Sequence, residues 1–277
     1  MRHGAKVLVL LCGLCGTHLL YAQLPFYTDD PSVTEKGKWH FEFFNEYDVL
    51  QHQDPNLRQN TANYKLNCGL PYNLEADVDF PYLAIFRARG DLSPTGVGDL
   101  NLGLKWNFRK ASQGSRLPAL STSLYIEFPT GNSRQQLGSG LIDYWLNFIA
   151  QEPLTDKTRI NMNLGLLIAG NTSTGVVGIQ TRHGHVYVGG LSVLHDISPR
   201  LTLGSEVYGG IADNDALGRS QLQFLVGGQY QVRKGMTFDF GVLGGKYIAS
   251  PRIGGQIGFS VDFPDILEAP RTKFHIP

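Results

Sequence analysis

From Gly98 to Lys110 the chain reads GDLNLGLKWNFRK, with Leu100, Leu102, Leu104, Trp106 and Phe108 on one parity and Asp99, Asn101, Gly103, Lys105, Asn107 and Arg109 on the other. A period of two marks an extended strand with one apolar and one polar face. The alternation returns over 38–50, 62–70, 73–86, 98–109, 118–129, 140–151, 158–169, 185–195, 200–211, 220–233, 236–246 and 253–263. That makes about twelve segments, an even number, with no amphipathic helix between them. A soluble strand usually runs about five or six residues, whereas a tilted membrane-crossing strand needs about nine to eleven. These segments have the longer dimension.

The connections alternate in length. LPYN, KASQGSRLP, EPLTDKT, HDISPR and VRKGM are mostly short, while QHQDPNLRQNT, RARGDLSPTGV, TGNSRQQLGSG, GNTSTGVVGIQTRHG and ADNDALGRS are longer and polar. Short turns on one side and long loops on the other are what an up-and-down barrel with periplasmic turns and outer loops requires. The predicted fold is therefore all-β, a closed antiparallel up-and-down transmembrane β-barrel of about twelve strands.

Charge decides which face meets lipid. A Lys or Arg on the lipid face near the midplane costs roughly 2 to 4 kcal/mol, so that face must be almost free of charge. The apolar parity passes this test, as in Leu222, Phe224, Val226, Tyr230 and Val232 against Gln221, Gln223, Gln229, Gln231 and Arg233. The other parity collects the candidate lumen lining: Glu42, Glu46, Lys65, Glu75, Asp77, Asp79, Asp99, Lys105, Arg109, Glu127, Asp143, Arg159, Glu206, Arg233, Asp239 and Asp262. Opposite charges confined together pair and brace a narrow barrel. The mild acidic excess favours neutral or cationic solutes. Trp39, Phe41, Trp106, Phe108, Phe148, Tyr230, Phe238 and Phe263 fall near the turn end, as an interfacial girdle would. Two segments break the pattern: HVYVGGLSVLH is apolar on both parities, and Pro81 interrupts the third strand, where a bulge or local break is expected.

The N-terminus, MRHGAKVLVLLCGLCGTHLLYAQ, has a basic start, an apolar run and Ala22 before the expected cut, the three parts of a secretory signal. Residues 1–22 are read as the signal, 23–37 as a periplasmic segment for which a plug folded into the lumen is one alternative, 38–263 as the barrel and 264–277 as a tail. Cleavage leaves one thiol, Cys68, which fits an exported chain without a disulfide framework. The formal net charge is zero, which gives no electrostatic reason to expect a nucleic-acid partner.

The segment PFYTDDPSVTEKGKWHFE, with Pro25, Phe26, Thr28, Asp29, Asp30 and Pro31 followed by Glu35, Gly37, Trp39 and Glu42, resembles the opening of the bacterial outer-membrane transporter family labelled "putative MetA-pathway of phenol degradation". Gly96, Val97, Gly98, Asp99 and Leu100, then Pro129, Thr130 and Gly131 with Leu137, Gly138, Ser139 and Gly140, are similar to its internal segments. The resemblance implies an outer-membrane barrel linked to uptake of small, in part aromatic or hydrophobic, solutes, and it brings no set of binding residues with it. Many barrels end at the aromatic residue of the last strand, whereas this chain continues past Phe263. The expected partners are outer-membrane lipids, a small-molecule solute and the barrel assembly machinery.

Other chemistry is weighed against simpler readings. Adjacent carboxylates in TDDP suit a hard cation, but a capped turn before the first strand explains them with less. The repeated glycine pairs lack the helix and the Lys-Ser or Lys-Thr of a phosphate cradle, and point to strand curvature rather than ligand contact. A surface hydrolase needs a nucleophile, base and orienting group at one interface. His183 and His185 flank a loop near Ser173 and Thr174, yet no nucleophile motif accompanies them, and His40, His52, His195 and His275 lie elsewhere. The expectation is a channel for passive passage, not an enzyme, with no metal or cofactor. The alternative is a closed structural barrel, or one with a loop-borne hydrolase site.

Overall fold

Lipid offers no hydrogen-bond partner, so a sheet that crosses it must close on itself. The computed structural model describes residues 24–51, 58–86, 93–111, 117–168, 184–213, 221–247 and 250–263. Its strands are β1 (Trp39–Leu50), β2 (Arg58–Leu70), β3 (Leu74–Phe86), β4 (Thr95–Val97), β5 (Leu100–Arg109), β6 (Ala119–Phe128), β7 (Asp143–Pro153), β8 (Thr158–Ile168), β9 (His185–Ser198), β10 (Leu201–Ala212), β11 (Gln221–Arg233), β12 (Met236–Gly245) and β13 (Pro251–Phe263). Each pairs antiparallel with its neighbours, and β13 returns to β1 with Trp39 opposite Phe263 and Asn45 opposite Ile257. β4 and β5 both pair with β3 and are two halves of one crossing, so the closed barrel has twelve crossings.

The faces divide as the alternation requires. Leu102, Leu104, Leu146, Leu164, Val226 and Ile257 are exposed on the outside, while Glu42, Lys105, Asn107, Ser121 and Gln223 are buried on the inside. Across the outer wall of β13, β1, β2 and β3 the registered pairs Phe43 with Phe259, Phe43 with Tyr64, and Tyr64 with Phe80 bring aromatic rings within 5.1 to 5.4 Å. Charged outward residues such as Arg58 and Glu152 stand at strand ends. Tight connections join β2 to β3 through Pro71–Asn73, and β11 to β12 through a turn with Gly235 at a φ of 72°.

Both irregular segments have physical causes. β3 is unbroken and pairs with β2 along its whole length; the break lies in its other neighbour, between β4 and β5 at Gly98 and Asp99. The Pro81 carbonyl accepts from Gly98 N at 2.8 Å, so the edge of Pro81 that lacks an N–H faces this break. In β9, Val186, Val188 and Leu194 point inward and are buried, while Tyr187, Leu191 and Val193 face out. The strand is apolar on both sides because the inside of the barrel holds apolar clusters: Leu167, Val186, Val188 and Tyr208; Phe26, Leu194, Leu225 and Leu243; and Leu50, Leu83, Ile85 and Leu137.

Leu164, mid-strand in β8 and 58% exposed, tests the assignment of faces. Leu164→Arg should destabilise the folded barrel by roughly 2 to 4 kcal/mol, seen as a lower unfolding temperature in a gel heat-modifiability assay, whereas Gln231→Arg at the inner turn end should shift it little.

Candidate functional site

Residues 24–37 form no strand; they run inside the barrel and are held by side chains from most of its wall. On β9 to β13 an inward glycine stands beside this segment: a Cβ at Gly190 would meet Thr28 Oγ1 at 2.4 Å, at Gly204 Phe26 Cζ at 2.8 Å, at Gly227 Pro25 Cγ at 2.8 Å, at Gly241 Pro25 Cβ at 3.4 Å and at Gly258 Leu24 Cδ1 at 3.3 Å. These inward glycines therefore do more than permit curvature. Gly190 and Gly227, each from a glycine pair, and the single glycines Gly204, Gly241 and Gly258 hollow a seat for residues 24 to 28.

Polar anchors fix the segment across this seat. Glu206 accepts from the backbone N–H of Tyr27 at 3.1 Å and of Thr28 at 2.5 Å. Tyr27 Oη donates to Glu46 Oε2 at 2.5 Å, and its ring lies 5.7 Å from that of Tyr208. Lys105 Nζ, fully buried, pairs with Asp29 Oδ1 at 2.7 Å. The Pro31 carbonyl accepts from Asn107 Nδ2 at 2.6 Å and from Ser121 Oγ at 2.5 Å, Thr34 N donates to Glu75 Oε2, and Gln229 Nε2 donates to the Leu24 carbonyl. The Asn163 amide, in the orientation that satisfies both its atoms, bridges Asp29 N and Asp29 O at 2.8 and 3.0 Å. In TDDP, Asp30 Oδ1 accepts from Ser32 N at 2.6 Å, which makes a capped turn.

The remaining predicted residues separate into groups. Asn67 Nδ2 donates to Glu42, Tyr125 Oη to Asp77, and Asn101 Nδ2 to Asp79, each at 2.7 Å, while Lys65 Nζ lies 5.8 Å from the centre of the Tyr125 ring. His40 Nδ1 contacts Asp262 Oδ1 at 2.6 Å across the β1–β13 seam. Asp143 and Asp239 are buried and Glu127 half-buried. Arg109 braces the β5–β6 turn through the Pro118 carbonyl, and Arg159 pairs with Asp196 at 3.0 Å near the same end. Arg233 is exposed: the register shifts between Gln231 and Arg233, which puts Arg233 opposite Met236 at the turn and takes it out of the lumen. Asp48, Asn107, Ser121, Asn163 and Gln229 were missed by a reading confined to charged residues and to the acids it singled out. Each shares the inward parity of its strand, which was signal enough.

A family model described as "Putative MetA-pathway of phenol degradation" matches residues 30–263. The chain belongs to that family. Among solved structures it is similar to an outer membrane channel from Pseudomonas putida F1, at 15% identity over 84% of this chain and 98% of that one, with a TM-score of 0.68. It is also similar to the NanC porin, at 10% identity over 80% and 98% with a TM-score of 0.55, and to the beta domain of the Bordetella autotransporter Brka, at 12% over 83% and 100% with a TM-score of 0.50. At these identities the likeness is one of fold. No curated protein matches the chain.

The internal segments that resemble this phenol-degradation family meet at one place. At the break opposite Pro81, Asp99 is 6% exposed and accepts from Gly131 N at 2.8 Å and Ser139 N at 2.5 Å. Leu100 N donates to Thr130 Oγ1 and Thr130 Oγ1 to the Gly98 carbonyl, both at 3.0 Å. These bonds fold the β6–β7 connection back so that Leu137 packs against Leu50, Leu83 and Ile85. A Cβ at Gly138 would stand 2.3 Å from Asp99 Oδ1, so the approach requires glycine there. Among the described residues there is no group of three or more His, Cys, Asp or Glu fit to hold a metal.

Two outcomes follow. Lys105→Met leaves Asp29 buried without its cation, a loss of about 3 to 5 kcal/mol; trypsin cleavage at Lys36 and Lys38 in the folded protein should rise by about two orders of magnitude or more. Asp99→Asn cannot accept both backbone N–H groups, a loss of about 1.5 to 3 kcal/mol; trypsin cleavage at Arg134 in the β6–β7 connection should rise roughly 10- to 100-fold while cleavage at Lys36 stays unchanged.

Proposed function

We propose that the protein is an outer-membrane channel for passive passage of small solutes, with a preference for apolar or aromatic ones, and that residues 24–37 occlude it at rest. The observation that carries this reading is the way the segment is held. It adds no strand to the barrel and, up to Gly37, whose N–H donates to the Gly69 carbonyl, is retained by side-chain anchors and a glycine seat, so it can leave without breaking the β-ladder. Its departure uncovers Tyr208, Leu194, Leu225 and Leu243 beside Glu46, Glu206 and Lys105, a path with an apolar wall and a polar one. An apolar wall lowers the penalty for a solute that sheds water, and carboxylates disfavour anions. The pathway for which the family is described, phenol degradation, supports the same solute class.

Passage is favoured over catalysis by the placement of the histidines. His185 contacts Asp213 at 2.9 Å, and its N–H and ring hold the exposed Asp213 carboxyl below its ordinary range. His195 contacts the Thr158 hydroxyl at 2.9 Å. An imidazole with an orienting carboxylate and an imidazole with a hydroxyl thus lie ten residues apart on β9, about 33 Å along an extended strand. They cannot form one site. His52, His183 and His275 lie outside the described residues.

The test is swelling of liposomes carrying the folded mature protein, with a small sugar and a small phenol compared, beside a form lacking residues 23–37. Swelling should be slow in the intact protein, faster for the phenol, and severalfold faster after truncation. No swelling from the folded truncated barrel would overturn the channel. Current through the truncated form should reverse at a potential set mainly by cations, and a reversal potential without cation preference would refute the role given to the inward carboxylates.

A further inference from the structure

The side chain of Tyr27 packs against two apolar clusters of the inner wall, the one around Val188 and Tyr208 and the one around Leu194 and Leu225. Its ring centre lies 5.7 Å from that of Tyr208, with the two planes 31° apart. Its hydroxyl reaches β1, where it donates to Glu46 Oε2 at 2.5 Å. Phe26 aside, the members of both clusters are residues of the barrel strands, as Glu46 is. The slot around this side chain is therefore built by the wall and not by the segment. The backbone of Tyr27 is held separately, through its N–H to Glu206.

The polar end of the slot is rich in acceptors. Glu46, Asp48 and Gln256 are each 2 to 5% exposed. Asp48 lies two residues along the same face of β1, and Gln256 stands opposite Glu46 in the β1–β13 register. Asp48 Oδ1 and Gln256 Oε1 have no hydrogen-bond partner among the described residues. Buried acceptors are costly unless a donor reaches them, so this end favours an occupant that brings an O–H. Cut at Cβ, the side chain that now occupies the slot is 4-methylphenol.

We infer that Tyr27 sits as a tethered ligand in a binding site for a neutral, one-ring phenol, and that a phenolic solute competes with it for the slot. The apolar clusters and the Tyr208 ring take up the solute ring, and Glu46 accepts its hydroxyl in a charge-assisted bond. Two close relatives of the phenol are rejected by the same groups. Toluene fills the apolar part but gives Glu46 no donor. Benzoate places another negative charge among Glu46, Asp48 and Glu206. The inference deepens the reading of residues 24–37 as an occlusion and rests on it: the solute that the channel admits is the one that displaces Tyr27.

The experiment follows trypsin cleavage at Lys36 in folded wild-type protein with 4-methylphenol, toluene or benzoate present, and cleavage at Arg134 as the control. Calorimetry measures binding of the same three compounds to wild type, to Tyr27→Ala, and to Tyr27→Ala combined with Glu46→Leu. A solute that binds only the vacated slot, at ten times its Kd there, raises the vacated population about tenfold, so 4-methylphenol should speed cleavage at Lys36 by about that factor. Toluene and benzoate should leave it almost unchanged, and none of the three should alter cleavage at Arg134. Tyr27→Ala should bind 4-methylphenol more tightly than wild type does, and about tenfold or more tighter than it binds toluene, the worth of a hydrogen bond to a charged acceptor. Adding Glu46→Leu should abolish that preference.

Equal binding of toluene and 4-methylphenol by Tyr27→Ala, a preference that survives Glu46→Leu, or cleavage at Lys36 that responds to none or to all three compounds would each overturn the proposal. If either variant lacks the heat-modifiable band of a folded barrel, the wild-type cleavage decides alone. Neither readout involves passage. A selective slot in a barrel that never swells liposomes would keep the phenol site and remove the channel, while swelling without such selectivity would keep the channel and remove the site.

Discussion

The closure of β13 onto β1 is the constraint from which the rest follows. Lipid satisfies no backbone N–H or C=O, so twelve crossings must end where they began, and Trp39 must find Phe263. Closure makes an inside that lipid cannot reach. Every polar residue excluded from the outer face is collected there, and Glu42, Glu46, Glu75, Asp77, Lys65 and Lys105 come to share one confined volume. Their charge must be answered from within. Part of the answer comes from neighbouring strands, as in Asn67 with Glu42 and Tyr125 with Asp77. The rest comes from a segment that belongs to no strand: Tyr27 and Thr28 donate to Glu206, and Asp29 neutralises Lys105. Residues 24–37 thus fill interior space and also supply missing hydrogen-bond partners.

This double role explains why the barrel interior is not uniformly polar. A lumen lined only by charge would hold the segment too loosely at its apolar residues, while one lined only by leucine would leave its backbone unsatisfied. The wall from β9 to β13 meets both demands by alternation along each strand, with glycine where the chain must approach, Leu194, Leu225 and Leu243 where Phe26 packs, and Glu206 or Gln229 where a backbone group needs a partner.

The strands were legible because period two is a local property, and only a few boundaries moved. β2 begins at Arg58 and β9 runs to Ser198, since the polar residues that led the reading to end those strands early still pair in the ladder. Pro81 correctly announced a break, but in the neighbouring strand, because a proline removes a donor from the chain it faces. The apolar inner face of β9 could not be interpreted from β9 alone. Its meaning lies in Phe26 and Tyr27, more than 150 residues away along the chain. Lys105 was legible as inward and illegible as the partner of Asp29, and Arg233 was misplaced because a one-residue shift at a strand end inverts parity.

The break at Pro81 shows how one local defect is put to use. A continuous β4–β5 ladder would direct every backbone group of Gly98, Asp99 and Leu100 toward neighbouring strands. With the ladder interrupted, Leu100 N and the Gly98 carbonyl both turn to Thr130, and the Asp99 carboxylate takes two N–H groups from the β6–β7 connection. The short motifs around Gly98 and Gly138 are therefore a single device divided between two stretches of sequence. That device places Leu137 over the outer end while the N-terminal segment occupies the space below.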